Sequence, residues 1–168
     1  MALEHEVAVR PFLFDRDFWC AKLAYLRAIP RRLLIVPRPE LSRPGFDVLE
    51  VKLRSHDGER LSALIARSAF GCSDQPSSVR LLGPGDLMRV HWSAVEQGQL
   101  EACFRPLEGR RLEDRVLDLL RIMDAVRSLE DTSPCVQLAP GCRDPLPDDV
   151  WIAEQVLTTC GQEGIESE

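Results

Sequence analysis

Two runs of alternating apolar and polar residues, joined by a tight turn, constrain this fold most strongly. Residues 47–54 alternate with a period of two, and residues 60–67 resume an extended pattern. Successive side chains of a strand point to opposite faces of a sheet, so this period predicts strands. The connection contains an Asp-Gly pair, which is a strong signal for a hairpin turn. The sequence therefore predicts an antiparallel hairpin.

Three segments have helical periodicity. Residues 110–130 place apolar side chains at helical spacing along one side, with charged side chains mostly on the other. Residues 15–29 begin at a capping aspartate and end before Pro30. Residues 148–160 carry two acids in their first turn and end before Gly161. We expect a helix over each range.

Short apolar runs predict further strands. They lie at residues 79–82, 100–104 and 135–138, next to segments rich in turn residues. The prolines of segment 37–44 permit at most a short edge strand at 32–36, because proline cannot donate to a ladder.

The order of these elements predicts a single α/β domain with a mixed sheet of about five strands and flanking helices. An α+β domain, with an antiparallel sheet and helices on one face, fits the hairpin equally well and stays open. The length of 168 residues suits one domain, which we place at residues 1–160. Residues 161–168 contain acids and no basic residue, and we expect a frayed tail there.

Charge and hydropathy exclude several classes of protein. Acidic residues outnumber basic ones by 27 to 21, and the net charge of −6 argues against a nucleic-acid binder. No apolar run approaches the roughly 18 residues of a membrane helix. The first residues also lack the apolar core of a secretory signal. We expect a cytoplasmic protein with neither a membrane nor a nucleic-acid partner.

Six cysteines are spread along the chain, and none has C-x-x-C spacing. The closest pair, Cys135 and Cys142, matches no common zinc motif. In a cytoplasmic protein this pattern predicts free thiols, several of them buried as small apolar side chains. A disulfide and a metal site remain open alternatives. We expect neither a metal nor a cofactor.

From residue 47 onward, the order of elements resembles the amino-terminal half of an α/β-hydrolase, in particular of the acetyl-xylan-esterase-like branch. The stretches that carry the likeness are SHDGERLSALIARS, SVRLLGPGD, HWSAVEQGQLEACFRPLEGRR and LEDRVLDLLRIMDAVRSLE. In that family a hairpin leads to a strand that ends in a glycine-rich oxyanion loop. A short helix, a strand and a longer helix then precede the nucleophile strand. The resemblance implies an ester-hydrolase scaffold.

The nucleophile elbow of that family is missing from its expected place. A G-x-S-x-G sequence should follow the strand at 135–138, but the chain reads LAPGCRDPLPDD there. This stretch contains no serine, and Arg143 follows Cys142 where the elbow requires a small residue. No catalytic residue is therefore carried over, and we expect a non-catalytic binding or protein-interaction domain. An acyl-ester hydrolase completed by other groups is the alternative.

Three side chains are candidates for catalysis if the protein is an enzyme. His56 has an aspartate beside it in the hairpin turn, and His91 precedes a tryptophan before a short helical segment. Cys142 has an arginine beside it, which favours a thiolate. The opposing interpretation assigns both histidines and the aspartate to turns, helix capping and packing.

Two groups of residues are candidates for ligand binding. Gly83 and Gly85 flank a proline in a turn whose backbone can approach an anion, although no phosphate-binding lysine follows. Arg110, Arg111 and Arg115 stand among acids at the start of the long helix. The charge pattern is typical of a solvated helix start with local ion pairs. Contact with a phosphate or a protein partner through the guanidinium groups is the alternative.

Association is a further expectation from the sequence. Residues 22–43 carry six basic side chains and one acid, while the chain from Asp144 onward carries seven acids and no base. The prolines of segment 37–44 can blunt one edge of the sheet, whereas no comparable device protects an edge beside the strands at 79–82, 100–104 or 135–138. We expect a protein partner or a homodimer at this edge, and an association that weakens as salt rises.

Overall fold

The computed structural model describes residues 14–70, 77–83, 86–130, 135–138 and 148–160. Its helices are α1 (Arg16–Ala28), α2 (Trp92–Glu96), α3 (Leu112–Glu130) and α4 (Asp148–Cys160). Its strands are β1 (Leu34–Pro37), β2 (Phe46–Arg54), β3 (Arg60–Ser68), β4 (Ser77–Leu81), β5 (Leu100–Phe104) and β6 (Cys135–Leu138). The acidic segment 161–168 lies outside the described residues, so the frayed tail stays a prediction.

The strands form one mixed sheet in the order β1-β2-β3-β5-β4-β6. β4 is parallel to both β5 and β6, and the other neighbours are antiparallel. The predicted α/β class is confirmed. The described residues form six strands where about five were expected, because β1 pairs with β2 although it ends in Pro37. Proline is tolerated there, since an edge strand needs its N–H groups on one side only.

Alternation along the strands gives the sheet two different faces. Helices α1, α3 and α4 pack on one face, the main face, against β2 and β3 side chains such as Val51 and Ile65. Helix α2 packs on the other face, the second face, against a smaller cluster that includes Val48 and Leu64. The period of two therefore places Val51 and Leu53 in the core of the main face, while on the second face Val48 joins the smaller cluster and Lys52 is exposed.

Helix α3 lies at the centre of the main face. Its predicted apolar stripe is buried, and Leu120 is completely inaccessible. Part of the charged side is buried as well, since Asp118 and Arg121 are each only 1% exposed. Periodicity cannot predict this burial, because it depends on partners from the hairpin turn and from the end of α1.

Leu120→Ala is expected to lower the free energy of unfolding by about 2 to 5 kcal/mol, because the truncation leaves a cavity in a packed core. Urea unfolding followed by far-ultraviolet circular dichroism measures the change. Leu87→Ala is the control, since Leu87 is 72% exposed and its loss should cost less than about 0.5 kcal/mol. An equally small loss for Leu120→Ala would contradict the central position of α3.

Cys20 in α1 and Cys160 at the end of α4 form a disulfide, with their Cα atoms 5.4 Å apart. The prediction of free thiols is wrong for this pair. The packing of α1 and α4 on the main face joins two residues 140 positions apart, which spacing along the chain cannot reveal. Cys103 is free and buried, as that prediction expected of several cysteines. The side chains of Cys72, Cys135 and Cys142 lie outside the described part of the structure.

Candidate functional site

A cavity of about 680 Å³ lies on the second face, beside the segment that connects β4 to α2. Its apolar lining includes Leu64 of β3, Leu82 and Met88 of the connecting segment, and Trp92 of α2. Arg80 of β4 also lines it. The same connecting segment contains Gly83 and Gly85, the two glycines that the sequence offers as candidates for ligand binding.

The glycine turn at the start of this segment is closed by an acid of its own. Gly83 donates its backbone N–H to Oδ2 of Asp86 at 2.8 Å, and the Asp86 N–H donates back to the Gly83 carbonyl at 3.2 Å. Arg105 donates to the backbone carbonyl of Asp86. The Gly83 donor, expected to bind a ligand, therefore already binds a carboxylate. Gly85 lies outside the described residues.

A buried ion pair anchors the segment to the sheet. Arg80 donates its Nε to Oε1 of Glu101 at 3.0 Å, and the Glu101 side chain is 3% exposed. Arg80 also donates to the backbone carbonyl of Arg89, and it approaches Sγ of Cys103 at 3.5 Å. Burial raises the pKa of the Cys103 thiol, which keeps it protonated beside the guanidinium.

His91 lies between a hydroxyl and a buried carboxylate. Its Nε2 is 3.1 Å from Oγ of Ser93, and its Nδ1 is 3.7 Å from Oε2 of Glu101. A hydroxyl, an imidazole and a carboxylate in this order resemble a serine nucleophile with its general base. His91 is a candidate from the sequence, whereas Ser93 and Glu101 are not among the candidates that it offers. The available signal was an acid in the otherwise apolar strand β5.

The hairpin turn and the start of α3 form a second polar cluster, which contains Arg110. Arg110 donates to Oδ1 of Asp118 at 2.9 Å, to Oγ of Ser55 at 3.3 Å and to the Asp57 carboxylate. The hydrogen bonds to Asp118 and Asp57 raise the pKa of Arg110, and the bond from Arg110 lowers the pKa of Asp57 to about 2. The Arg110 guanidinium is therefore already paired with groups of the protein itself, and it links the hairpin turn to α3.

His56 and Arg111 share one carboxylate in the same cluster. Nε2 of His56 lies 2.9 Å from Oδ1 of Asp114, and Nε of Arg111 lies 3.3 Å from its Oδ2. Burial opposes the ionisation of Asp114, but these two hydrogen bonds outweigh it and hold its pKa below the ordinary value. The Arg111 side chain is otherwise 83% exposed.

Arg115 completes this cluster by linking α3 to α4. It donates to Oδ2 of Asp149 at 3.3 Å and to the Arg110 carbonyl at 3.0 Å. The structure thus brings His56 together with all three arginine candidates and places His91 at the separate cavity. Cys142 lies outside the described residues, and within those residues no His, Cys, Asp and Glu side chains group as metal ligands.

Asp57→Asn is expected to reduce the dependence of stability on acid pH. A carboxyl whose folded pKa lies below its ordinary value stabilises the fold above about pH 4 and loses that contribution as the pH falls towards about 2. The difference in unfolding free energy between wild type and variant should therefore shrink between pH 7 and pH 3. Urea unfolding at several pH values measures it. Asp47→Asn, at an exposed position of β2, is the control, and an equal change there would contradict the assignment.

The similarity to known proteins lies in the fold and not in the amino-acid sequence. No family model and no curated protein matches the chain. An acetyl xylan esterase from Paenibacillus sp. R4 superposes with a TM-score of 0.58 at 14% identity, over 73% of this chain and 50% of the esterase. Acetyl Xylan Esterase 1 from Thermoanaerobacterium sp. JW/SL YS485 superposes with a TM-score of 0.60 at 11% identity, over 73% and 49%.

The fold is α/β-hydrolase-like. The resemblance inferred from the order of elements is confirmed at this level, and it is partial, since the chain spans about half the length of either esterase. The hydrolase-like core is a sheet with helices on both faces. None of the helices that the structure describes combines the length and apolarity needed to cross a membrane.

Proposed function

We propose that the protein is a non-catalytic binding domain built on part of an α/β-hydrolase scaffold. The observation that carries this proposal is the hydrogen bond from the Gly83 N–H to the Asp86 carboxylate. Ester hydrolases stabilise the anionic transition state with backbone N–H groups held ready for its oxygen. In this chain the Asp86 carboxylate accepts the Gly83 N–H, and its negative charge repels an oxyanion from that position.

The cavity beside this turn supports binding of a small, largely apolar molecule. Its volume of about 680 Å³ is within the range of small-molecule pockets, which combine an apolar lining with a few polar groups. Leu64, Met88 and Trp92 supply apolar surface, and His91 supplies a polar group that is exposed to an incoming ligand. Such a molecule would be held without chemical change.

A fluorescence titration with anilinonaphthalene sulfonate tests the cavity, because the fluorescence of this aromatic anion increases when it binds in an apolar site. Leu41→Trp adds bulk at the rim of the cavity and should weaken binding by about tenfold, which corresponds to about 1.4 kcal/mol. Tyr25→Trp, on an exposed position of α1, is the matched control and should bind as the wild type does. Equal affinities of the two variants, or no saturable binding to the wild type, would refute the ligand site.

Ester hydrolysis is the second candidate, and the arrangement of Ser93, His91 and Glu101 favours it. In that reaction Oγ of Ser93 would attack the ester carbonyl carbon while Nε2 of His91 takes its proton. The alcohol would then leave with that proton, and water would hydrolyse the acyl serine by the same route. Glu101 would stabilise the imidazolium.

Hydrolysis of p-nitrophenyl acetate separates the two candidates. A non-catalytic domain predicts that wild type and Ser93→Ala release p-nitrophenol at the same rate. A wild-type rate about a hundredfold or more above that of Ser93→Ala, a loss typical of removing a catalytic group, would establish the second candidate. His91→Ala should then be equally slow. His56→Ala is the matched control, because His56 lies in the separate cluster with Asp114.

A further inference from the structure

A basic groove borders the sheet at its β1 edge. The groove has a volume of about 490 Å³, and its lining residues include four bases and no acid. The bases are Arg32, Lys52, Arg54 and Arg60. Exposed Leu34 of β1 adds apolar surface. Four cations in one groove are a strong local excess in a chain with a net charge of −6.

Two features of the basic groove are unfavourable for stability. Arg54 and Arg60 lie directly opposite each other in the β2–β3 ladder, where like charges repel. Arg32 has a φ of +50°, in the left-handed region that side chains other than glycine rarely adopt. Both therefore point to a role of the basic groove outside the fold.

The cations of the basic groove are weakly neutralised by the protein itself. Within the part of the chain that the structure describes, neither Arg32 nor Arg60 has a carboxylate at ion-pair distance. Lys52 lies 3.6 Å from an oxygen of Glu50, and Arg54 donates to the carbonyl of Gly58. A carboxylate from outside could pair with these guanidinium groups in the favourable forked geometry.

The neighbouring strand β1 offers backbone groups to a partner. Among the strands that the structure describes, it pairs only with β2. The Arg38 N–H donates to the carbonyl of Val48, and hydrogen-bonded pairs alternate along an antiparallel ladder. Even-numbered residues of β1 therefore bond to β2. Ile35 consequently directs its N–H and C=O away from the sheet.

We propose that β1 and the basic groove dock an acidic, extended segment of a partner protein. The segment adds as a strand beside β1 and pairs with the backbone of Ile35. Its acidic side chains, on the second face, bind Arg32, Arg54 and Arg60. A second copy of this chain fits this edge less well, because symmetric pairing would bring two basic grooves together. This site is separate from the cavity beside Gly83, so the docking proposal does not depend on the proposal of a ligand in that cavity.

Fluorescence anisotropy with the full chain tests the proposal. The probe is a fluorescein-labelled octapeptide of alternating valine and glutamate, which places every carboxylate on one face of a strand. We expect saturable binding that weakens as salt rises, and about tenfold weaker binding of the same peptide with lysine in place of glutamate. No saturable binding of the glutamate peptide would overturn the proposal.

Two variants separate charge from strand addition. Arg60→Glu should weaken binding of the glutamate peptide by about tenfold or more, while Arg127→Glu, the same charge change at an exposed position of α3, should not. Ile35→Pro removes an outward N–H without changing charge and should weaken binding by about tenfold. Circular dichroism shows whether each variant is folded. If Ile35→Pro is not folded, the comparison of Arg60→Glu with Arg127→Glu decides.

Three results would contradict the docking of an acidic strand. Equal losses in Arg60→Glu and Arg127→Glu would indicate a general charge effect. Unchanged binding by folded Ile35→Pro would exclude strand addition at β1. A poly(U) oligonucleotide that binds more tightly than the glutamate peptide would assign the basic groove to nucleic acid, and a dimer that Arg60→Glu dissociates would assign it to a second copy.

Discussion

Cys160→Ser is expected to lower the free energy of unfolding by about 3 to 5 kcal/mol. The disulfide to Cys20 joins residues 140 positions apart, and a cross-link removes more entropy from the unfolded chain when it closes a longer loop. It also ties α1 to α4, the first and last described helices of the main face. Urea unfolding of the oxidised wild type and of the variant measures the loss.

Two further serine variants are the controls, because the costs of two substitutions that break the same bond do not add. Cys20→Ser and the double variant should each be as unstable as Cys160→Ser, because any one of these changes breaks the same bond. Reduced wild type should unfold at the same urea concentration as the variants. Losses that simply add in the double variant, or a reduced wild type as stable as the oxidised one, would contradict a disulfide in the folded protein.

The disulfide also bears on the expected cytoplasmic location. Structural disulfides persist in oxidising compartments and are rare where glutathione keeps thiols reduced. The Cys20–Cys160 pair therefore argues against that expectation, which rested on the absence of membrane and signal patterns from the sequence. Thiol counting of protein purified from its source under alkylating conditions decides between the two.

Arg121→Met is expected to cost about 3 to 5 kcal/mol, because it leaves buried carbonyl groups without donors. The Arg121 side chain is 1% exposed, and its guanidinium donates to four backbone carbonyls. These carbonyls belong to Leu26, Ile29, Pro30 and Arg54. Three of them lie at the end of α1, where the helix dipole is negative, so the cation is stabilised there without a hydrogen-bonded carboxylate.

Two further variants define the role of Arg121. Burial lowers the pKa of its guanidinium, and an ammonium group in its place would reach fewer carbonyls. Arg121→Lys should therefore retain part of the stability and lie between wild type and Arg121→Met. Arg127→Met, at an exposed position of the same helix, should change stability by less than about 0.5 kcal/mol. Equal stability of wild type and Arg121→Met would contradict the clamp at the end of α1.

Much of the fold could be predicted from local patterns. The helix at 148–160 was predicted with its observed bounds, because acids at its start and a glycine after its end mark both termini. Strand β4 begins at Ser77, two residues before the predicted strand. The prediction began too late because serines are typical of loops. The Cys20–Cys160 pair could not be predicted, since no local pattern connects residues so far apart.

The candidate site was only partly accessible from the sequence. His91 and Gly83 were named, yet their partners Glu101 and Asp86 were not, because these contacts depend on how a strand and a turn are placed in space. Arg110 was interpreted as part of a solvated helix start or as a ligand contact. It pairs instead with two aspartates of the protein itself, one in α3 and the other in the hairpin turn.

The absence of acyl transfer is the central claim about function, and intact-mass spectrometry tests it most directly. Fluorophosphonates form a covalent adduct with a serine that a neighbouring base has activated. We expect the mass of the wild type to be unchanged after incubation with such a reagent, because Asp86 occupies the Gly83 donor that would stabilise the addition step. A single adduct on the wild type that Ser93→Ala abolishes would contradict the account.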